Sequence, residues 1–237
     1  MPPYISTNKH HYRNEGDTKN MAIVIDGIIG AGKSTLAHFL SEALSVPLFE
    51  ELNDNDSDSM AQRMLDRFYA DQQRWSAIIQ VMFLNDRFRD IKAIEASGNE
   101  AIIDRSIYGD EIFAKTINDR GNMTDDEFNI YRDLLHNMLE HIQPPEVLVY
   151  IDVSIDTAME RIAKRNRSTE ADLIPRDYME DLKRNYETWF EHYDLSPKIR
   201  IDLNDSEPDC NGALRPEVKK MILDAIRPYV EVSELVF

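Results

Sequence analysis

A glycine-rich segment near the start of the chain constrains the fold more than any other feature. Residues 27–34, Gly-Ile-Ile-Gly-Ala-Gly-Lys-Ser, match the phosphate-binding pattern G-x-x-x-x-G-K-S/T. An apolar, β-branched run at 22–26 (AIVID) precedes the segment, and a stretch with helical periodicity follows it. The pattern therefore predicts a strand, a phosphate-binding loop and a helix in that order, which is a unit of α/β folds.

Each part of this phosphate-binding loop suits a nucleoside triphosphate. The glycines allow backbone N–H groups to converge on phosphate oxygens, and the following helix adds the positive end of its dipole. We expect Lys33 to reach the outer phosphates and Ser34 to ligate the Mg²⁺ that accompanies ATP or GTP. The predicted ATP-binding residues of this segment are Gly27, Gly30, Ala31, Gly32, Lys33, Ser34 and Thr35.

Short apolar runs and long periodic stretches alternate along the rest of the chain. Strands separated by helices predict an α/β fold with a parallel sheet covered on both faces. The predicted strands are 22–26, 46–49, 101–104, 147–151 and 199–203. The longest predicted helix, 73–96, is apolar nearly all round at its middle, so we expect its centre to be buried. Shorter helices are predicted near 107–118, 125–141, 155–165, 175–192 and 215–229.

Composition limits the organisation and the partners of the chain. With 237 residues, 42% of them hydrophobic, the chain can bury one core, so we expect a single domain over 21–237 and a flexible polar tail over 1–20. A net charge of −17 repels a nucleic-acid backbone. No apolar run is long enough to cross a membrane, and Cys210, the single cysteine, cannot form an internal disulfide. These features predict a soluble, intracellular, cytoplasmic protein without nucleic-acid or membrane partners; a transit peptide in the tail is the alternative.

A carboxylate and an arginine follow the third predicted strand. Asp104, Arg105 and Ser106 lie where that strand ends, and open α/β sheets bind ligands at the carboxyl ends of their strands. An acidic and a basic side chain together suit a site for Mg²⁺ and phosphate. The alternative is an ordinary surface ion pair.

Four positive charges are clustered further along this acidic chain. Arg161, Lys164, Arg165 and Arg167 lie within seven residues. Arg161 and Arg165 share one helix face, and a helix end near 166–168 would bring Arg167 to the same side. The three arginines would then cover one triphosphate and neutralise charge on the transferred phosphoryl group. A solvated basic patch is the alternative.

Two polar residues lie among apolar neighbours on the longest predicted helix. Gln80 and Arg87 are seven residues apart and therefore share a face. Buried amide and guanidinium groups need hydrogen-bond partners. Those partners are either other core residues or the edge of a bound base.

Together these residues resemble the deoxyribonucleoside kinase family, in particular its deoxycytidine, deoxyguanosine and deoxyadenosine kinase branch. The resemblance covers about residues 21–193. Beyond the phosphate-binding loop it is carried by Glu50-Glu51, Tyr69, Arg74-Trp75-Ser76, Gln80, Arg87, Asp104 to Tyr108, Asp110, the segment from Arg161 to Glu170, and Tyr178. It implies a P-loop kinase fold with a five-stranded parallel sheet, an arginine-rich lid over ATP and a homodimer formed through helices. It also implies ATP- and Mg²⁺-dependent phosphorylation of the 5′-hydroxyl of a deoxyribonucleoside in nucleotide salvage.

The resemblance also implies catalytic roles. Glu51 resembles the general base that takes the proton of the 5′-hydroxyl; the family usually has a proline after it, which this chain lacks, and Glu50 is the alternative. Arg105 would hold the 5′-oxygen and the phosphate, while Asp104 and Ser34 would hold the metal. The implied catalytic set is Glu51, Arg105, Lys33 and Arg165, and the implied ATP-binding arginines are Arg161, Arg165 and Arg167.

Substrate contacts are implied in the same way. Tyr69 and Glu170 resemble the pair that binds the 3′-hydroxyl, and Gln80 resembles the residue that pairs with the base edge. Arg87 with Asp110 favours deoxyadenosine, deoxyguanosine or deoxycytidine, because thymidine-accepting members have small or apolar residues at these positions. The implied substrate-binding residues are Glu51, Tyr69, Gln80, Phe83, Arg87, Arg105, Asp110 and Glu170.

Two rival functions remain. A nucleoside monophosphate kinase such as thymidylate kinase shares the phosphate-binding loop and an arginine-bearing lid, but it would need a further arginine for the phosphate of its substrate, whereas Glu51 suits a neutral hydroxyl. A non-catalytic nucleotide-binding subunit with the same fold would not need intact Lys33, Glu51 and Arg105. The chain has no guanine-binding N-K-x-D motif, which disfavours a GTPase switch.

Overall fold

The core of the fold is an open parallel sheet flanked by helices. The computed structural model describes residues 22–51, 59–165, 174–204, 206 and 214–230, without the side chain of Arg165. The strands in these ranges are β1 Ala22–Asp26, β2 Leu48–Phe49, β3 Ala101–Asp104, β4 Val147–Asp152 and β5 Lys198–Asp202. They pair in parallel in the order β2-β3-β1-β4-β5. The predicted α/β class and five-stranded parallel sheet are confirmed.

The amino acids of the central strands explain their position. β1, β3 and β4 are near-continuous runs of apolar, mostly β-branched residues, and almost all of those residues are buried. Such runs fit strands that are covered on both faces, because a half-exposed strand would alternate apolar and polar residues. β1 lies between β3 and β4, so the strand order reverses there. In sheets of this kind the ligand cleft opens at the carboxyl ends of the strands at that point.

Eight helices within the described residues connect and flank the strands. They are α1 Lys33–Leu44, α2 Met60–Ala70, α3 Gln72–Ser97, α4 Asp110–Asp119, α5 Asp125–Leu139, α6 Ile155–Arg165, α7 Arg176–His192 and α8 Pro216–Ile226. Each helical stretch predicted from the sequence overlaps one of them. None of these helices combines the length and the apolar character that a membrane span requires.

One helix, α2, was not predicted. Its sequence directly follows an acidic stretch typical of loops, although seven of its eleven residues are apolar. Two sequence features indicate this helix. Ser59 caps its N-terminus, with a side chain that accepts a hydrogen bond from the N–H of Gln62. Met64 and Phe68, which are buried, lie four residues apart and so share one helix face.

The prediction that the centre of the longest helix is buried was wrong for one face. Ile79 and Leu84 of α3 are buried, but Ile78 is 52% exposed and Val81 is 38% exposed. α3 packs against α2, α4 and α5 on its other face. Apolar composition predicted burial all round, whereas the described part of the chain covers only one side.

Candidate active site

A cavity lies at the carboxyl ends of β1, β2 and β3, where the topology predicts a ligand cleft. It encloses about 880 Å³, including space that is continuous with solvent. The phosphate-binding loop and the ends of β2 and β3 form one side. Side chains from α2, α3, α4 and α7 form the other.

The phosphate-binding loop depends on glycine at one position for two reasons. Gly30 has a left-handed backbone, with a φ of 77°, that other residues rarely adopt. A Cβ atom at this position would also lie 2.5 Å from the carbonyl oxygen of Ala158 and 2.9 Å from the Ile162 side chain. α6 therefore packs directly against the loop, and a side chain at residue 30 would separate them.

Lys33 is folded back onto the phosphate-binding loop. Its Nζ donates to the carbonyl oxygens of Gly27 at 3.1 Å and Ile28 at 3.0 Å. Burial lowers the pKa of the Lys33 ammonium, as does the nearby Arg105, whereas the Asp104 carboxylate acts in the opposite direction. The ammonium thus lies at the inner surface of the loop, on the wall of the cavity.

Ser34 and Asp104 form the pair predicted to hold a metal. Ser34 Oγ donates to Asp104 Oδ2 at 2.6 Å, and burial raises the pKa of the Asp104 carboxyl. Asp104 Oδ1 is buried and has no hydrogen-bond partner among the described residues. A hydroxyl and a carboxylate are the hard oxygen ligands that Mg²⁺ prefers, usually completed by substrate phosphates and water. The residues present therefore fit Mg²⁺ bound together with a nucleotide.

Glu51 joins two arginines at the cavity wall. Its Oε1 accepts a hydrogen bond from Arg87 Nη2 at 2.6 Å and forms an ion pair with Arg105 Nη1 at 2.9 Å. Glu50, the alternative base, pairs instead with His38 Nε2 at 2.8 Å and does not line this cavity. Adjacent residues at the end of β2 thus have different surroundings.

Arg105 has an unusual backbone conformation. Its φ is 82°, a left-handed value that is rare outside glycine, and its N–H donates to the carbonyl oxygen of Ile25 at 2.8 Å. The guanidinium lies 3.7 Å from the centre of the Phe113 ring. Burial opposes the charge, but Glu51 and other nearby anionic groups leave the pKa of Arg105 above its ordinary value. The side chain is therefore a fixed cation facing the cavity.

A second ion pair continues the network away from Glu51. Arg87 Nη1 is bound to Asp110 Oδ1, and Tyr131 donates its hydroxyl to Asp110 Oδ2 at 3.0 Å. Burial opposes the charge of Arg87, but Asp110 and Glu51 raise its pKa overall. Sequence reasoning missed Tyr131, because nothing in the spacing of α4 and α5 indicates that these side chains meet.

The remaining cavity wall is mainly apolar and aromatic. It includes Tyr69 from α2, and Phe83, whose ring centre is 5.2 Å from the Arg87 guanidinium. Gln80 also lines this wall, is only 7% exposed, and forms no hydrogen bond with its amide in the parts of the chain that the structure describes. Lining residues that were not proposed as site residues are Ile29, Leu65, Phe68, Ile79, Phe113, Ile117 and Tyr178.

Arg161 contacts backbone rather than the cavity. Its Nη1 donates to the Ala31 carbonyl at 2.9 Å and its Nη2 to the Leu203 carbonyl at 2.7 Å, so it links the phosphate-binding loop to the segment after β5. Thr35 is exposed on α1. The Arg165 side chain, Arg167 and Glu170, as well as the tail over 1–20, lie outside the described residues.

Comparisons with known proteins agree with this geometry. A sequence model of the deoxynucleoside kinase family matches residues 23–227. A deoxyguanosine kinase of Lactobacillus johnsonii is 41% identical over 213 residues, which cover 84% of this chain and 92% of the relative. A deoxyadenosine kinase of Lactobacillus acidophilus is 37% identical, with 86% of this chain and 96% of the relative covered.

Solved structures show the same likeness. The deoxyadenosine kinase of M. mycoides with bound dATP superposes with a TM-score of 0.71 at 30% identity, over 87% of this chain and all of that one. With bound dCTP the same kinase gives a TM-score of 0.70 at 28% identity, over 88% of this chain and 100% of that chain. These relatives do not favour a monophosphate kinase or a non-catalytic subunit. The chain belongs to the deoxynucleoside kinase family and is an enzyme that phosphorylates a deoxynucleoside with ATP.

Proposed function

We propose that the cavity binds deoxyadenosine, deoxyguanosine or deoxycytidine in preference to thymidine, and that Glu51 is the general base for phosphorylation of the 5′-hydroxyl. One observation carries the proposal: Glu51, held by Arg87 and Arg105, borders the same cavity as Lys33 and Ser34. A base for the acceptor hydroxyl and the groups that bind ATP phosphates thus face one space.

The proposed reaction is a direct phosphoryl transfer. The 5′-oxygen attacks the γ-phosphorus of ATP, the bond from that phosphorus to the β–γ bridging oxygen breaks, ADP leaves, and the hydroxyl proton passes to Glu51. Lys33, Arg105 and the lid residue Arg165 neutralise charge on the transferred group. Ser34 and Asp104 would hold Mg²⁺, which neutralises phosphate charge when bound. Two cations on Glu51 weaken it as a base, so we attribute much of the rate to positioning.

The base preference is supported by three polar residues: Gln80 and Asp110 line the cavity, and Arg87 is bound to both Asp110 and Glu51. Gln80 offers both a donor and an acceptor to a base edge. Arg87 offers only donors and is fixed by Asp110, which suits acceptors such as N7 of a purine. The names of the relatives, which specify deoxyguanosine and deoxyadenosine, support the same preference.

The sugar and the triphosphate are assigned on the family resemblance. Tyr69 lines the cavity, in keeping with a contact to the 3′-hydroxyl, and Glu170 is its proposed partner. Arg161, Arg165 and Arg167 are the proposed lid arginines on ATP. In the form described, Arg161 fixes the phosphate-binding loop through Ala31, so we assign it to positioning of that loop as well.

A homodimer is supported by an apolar surface on two neighbouring helices. Ile78 and Val81 of α3 are exposed, Ile130 of α5 is 70% exposed, and α3 packs against α5. Exposed apolar residues on two helices that pack against each other favour an interface. We expect Ile78→Asp with Ile130→Asp to shift the sedimentation coefficient from dimer to monomer, with Met221→Asp on α8 as the control. An unchanged dimer would place the interface elsewhere.

The proposed biological setting is cytoplasmic nucleotide salvage by a single-domain enzyme.

The substrate assignment is tested by steady-state turnover of the wild type with Mg-ATP. Deoxyadenosine, deoxyguanosine, deoxycytidine and thymidine are compared with dAMP and dTMP. We expect one or more of the first three to give the highest kcat/KM and thymidine the lowest of the four nucleosides. Faster turnover of a monophosphate than of any nucleoside would contradict the proposal.

A further inference from the structure

Asp26 is a fully buried carboxylate at the carboxyl end of β1, and it is not part of the cavity lining. Its Oδ1 accepts from the Gly27 N–H at 3.0 Å and from the Tyr186 hydroxyl at 2.6 Å. Its Oδ2 accepts from the Ser106 N–H at 3.2 Å. The three donors belong to the phosphate-binding loop, to α7 and to the turn after β3. One side chain thus joins three elements that border the active site.

The bond to Ser106 explains how Arg105 keeps its left-handed backbone. A non-glycine residue keeps such a conformation only where the surroundings fix it. Here the N–H of Arg105 is bound to the Ile25 carbonyl, and the next N–H, that of Ser106, is bound to Asp26. The last two residues of β1 therefore hold both peptide groups that flank Arg105. In this conformation the Arg105 guanidinium reaches Glu51.

A glycine in the same turn is matched to this carboxylate. A Cβ atom on Gly109 would lie 2.5 Å from Asp26 Oδ2 and 3.2 Å from its Cγ. The φ of Gly109 is −93°, which every residue tolerates, so backbone conformation does not require glycine there. The requirement comes from the position of the Asp26 carboxylate.

We propose that Asp26 is a positioning residue for phosphoryl transfer. Through the Gly27 N–H it fixes the start of the phosphate-binding loop, and through the Ser106 N–H it fixes Arg105. The groups that bind ATP and the arginine that holds Glu51 are thereby set relative to each other by one carboxylate. This inference rests on the role proposed above for Arg105.

Asp26→Asn is the direct test, because it keeps the shape and removes one acceptor. In either orientation the amide NH₂ faces one of the two backbone N–H groups, so the loop and Arg105 are no longer held by the same group. We expect kcat per folded molecule to fall about 10²-fold, with the KM for the nucleoside little changed, since small misplacements act on the transition state.

Two tyrosines provide a matched comparison. Tyr186→Phe removes the hydroxyl that donates to Asp26 but leaves both backbone hydrogen bonds to that carboxylate. Tyr150, whose ring stacks on that of Tyr186, donates its hydroxyl to Glu187 at 3.1 Å, and Tyr150→Phe removes this hydrogen bond instead. Both variants lose a buried hydroxyl, so both are expected to lose some stability. We expect both to keep a kcat close to that of the wild type, because neither disconnects Gly27 from Ser106.

Gly109→Ala covers the case in which Asp26→Asn fails to fold. The added methyl group displaces Asp26 Oδ2 from the Ser106 N–H without changing any charge. We expect the same pattern as for Asp26→Asn, namely a reduced kcat with little change in the nucleoside KM.

The outcomes separate this inference from the proposed function. Kinetics are normalised to the folded fraction measured by circular dichroism, and Arg105→Ala is included. If Asp26→Asn and Gly109→Ala both lose stability but keep the wild-type kcat per folded molecule, the positioning role of Asp26 is overturned. If Arg105→Ala lowers kcat and those two variants do not, only the inference about Asp26 fails. If Arg105→Ala has a wild-type kcat, the proposed role of Arg105 fails and the inference fails with it.

Discussion

The candidate active site has two sides that both contribute residues to one cavity but are assembled differently. The proposed donor side comprises residues 27–34 with Asp104, and the proposed acceptor side comprises Glu51, Arg87, Arg105, Asp110 and Tyr131. On the donor side Lys33 binds carbonyl groups five and six residues away. On the acceptor side every contact joins residues more than twenty positions apart, from β2, α3, β3, α4 and α5. The donor side is thus specified by a local segment, apart from Asp104, which joins it through a hydrogen bond from Ser34 that spans 70 residues. The acceptor side exists only when several elements have packed.

This difference has a consequence for substitutions. A change on the donor side alters charge at the site while the surrounding fold persists. A change within the acceptor-side network leaves buried charges without partners, and such changes lower stability as well as activity.

Lys33→Ala tests the donor side and is expected to have the largest effect. Removing the ammonium that is proposed to bind the ATP phosphates should lower kcat about 10³-fold or more. The free energy of unfolding should change little, because burial already disfavours the charged form and lowers the pKa of Lys33. Lys115→Ala, which breaks an exposed pair with Asp119, is the control and should keep wild-type turnover. If the Lys33 variant unfolded, the expected difference in stability between donor-side and acceptor-side variants would be contradicted.

Asp110→Asn tests the acceptor side. Arg87 would lose one of its two anionic partners in a buried setting, so we expect the free energy of unfolding to fall by about 3 kcal/mol in urea titrations. Asp119→Asn disrupts an exposed ion pair with Lys115 and should cost about 1 kcal/mol or less. Equal effects of the two substitutions would show that burial of the network is energetically unimportant.

Asp104→Asn should have a small effect on stability, in the opposite direction to that of Asp110→Asn. The buried Oδ1 of Asp104 has no partner in the described ranges, so without Mg²⁺ and ATP the charged form is unfavourable. We expect the amide to raise the free energy of unfolding by about 1 kcal/mol at neutral pH. Because burial raises the folded-state pKa of Asp104, the advantage should shrink as the pH falls through that pKa and vanish below the unfolded-state value. A constant difference at all pH values would contradict this origin.

The sequence predicted the strand, loop and helix around residues 27–34 and the sheet because both depend on local patterns. The phosphate-binding loop is contiguous, and the central strands are apolar runs, so motif and composition identified them directly. α2 was missed although most of its residues are apolar, because it directly follows a loop-like acidic stretch. Exposure on one face of α3 was missed because composition does not tell which side is covered.

Much of the acceptor side could be named only through the family resemblance. The contacts of Asp26 with Ser106 and Tyr186 span 80 and 160 residues, and that of Tyr131 with Asp110 spans 21. Spacing along the sequence does not indicate that residues so far apart meet in the folded chain. The surroundings of Glu50 and Glu51 were likewise undetermined, because a strand end can direct either of two adjacent side chains towards a ligand.

Glu51→Gln compared with Glu50→Gln is the most direct test of the proposed mechanism. Both variants replace a carboxylate at the end of β2 by an amide of the same shape, but only Glu51 lines the cavity. With Mg-ATP and the best deoxynucleoside, we expect kcat to fall about 10²-fold or more in Glu51→Gln and to stay near the wild-type value in Glu50→Gln. A large loss in Glu50→Gln together with near-normal turnover in Glu51→Gln would contradict the assignment of Glu51 as the general base.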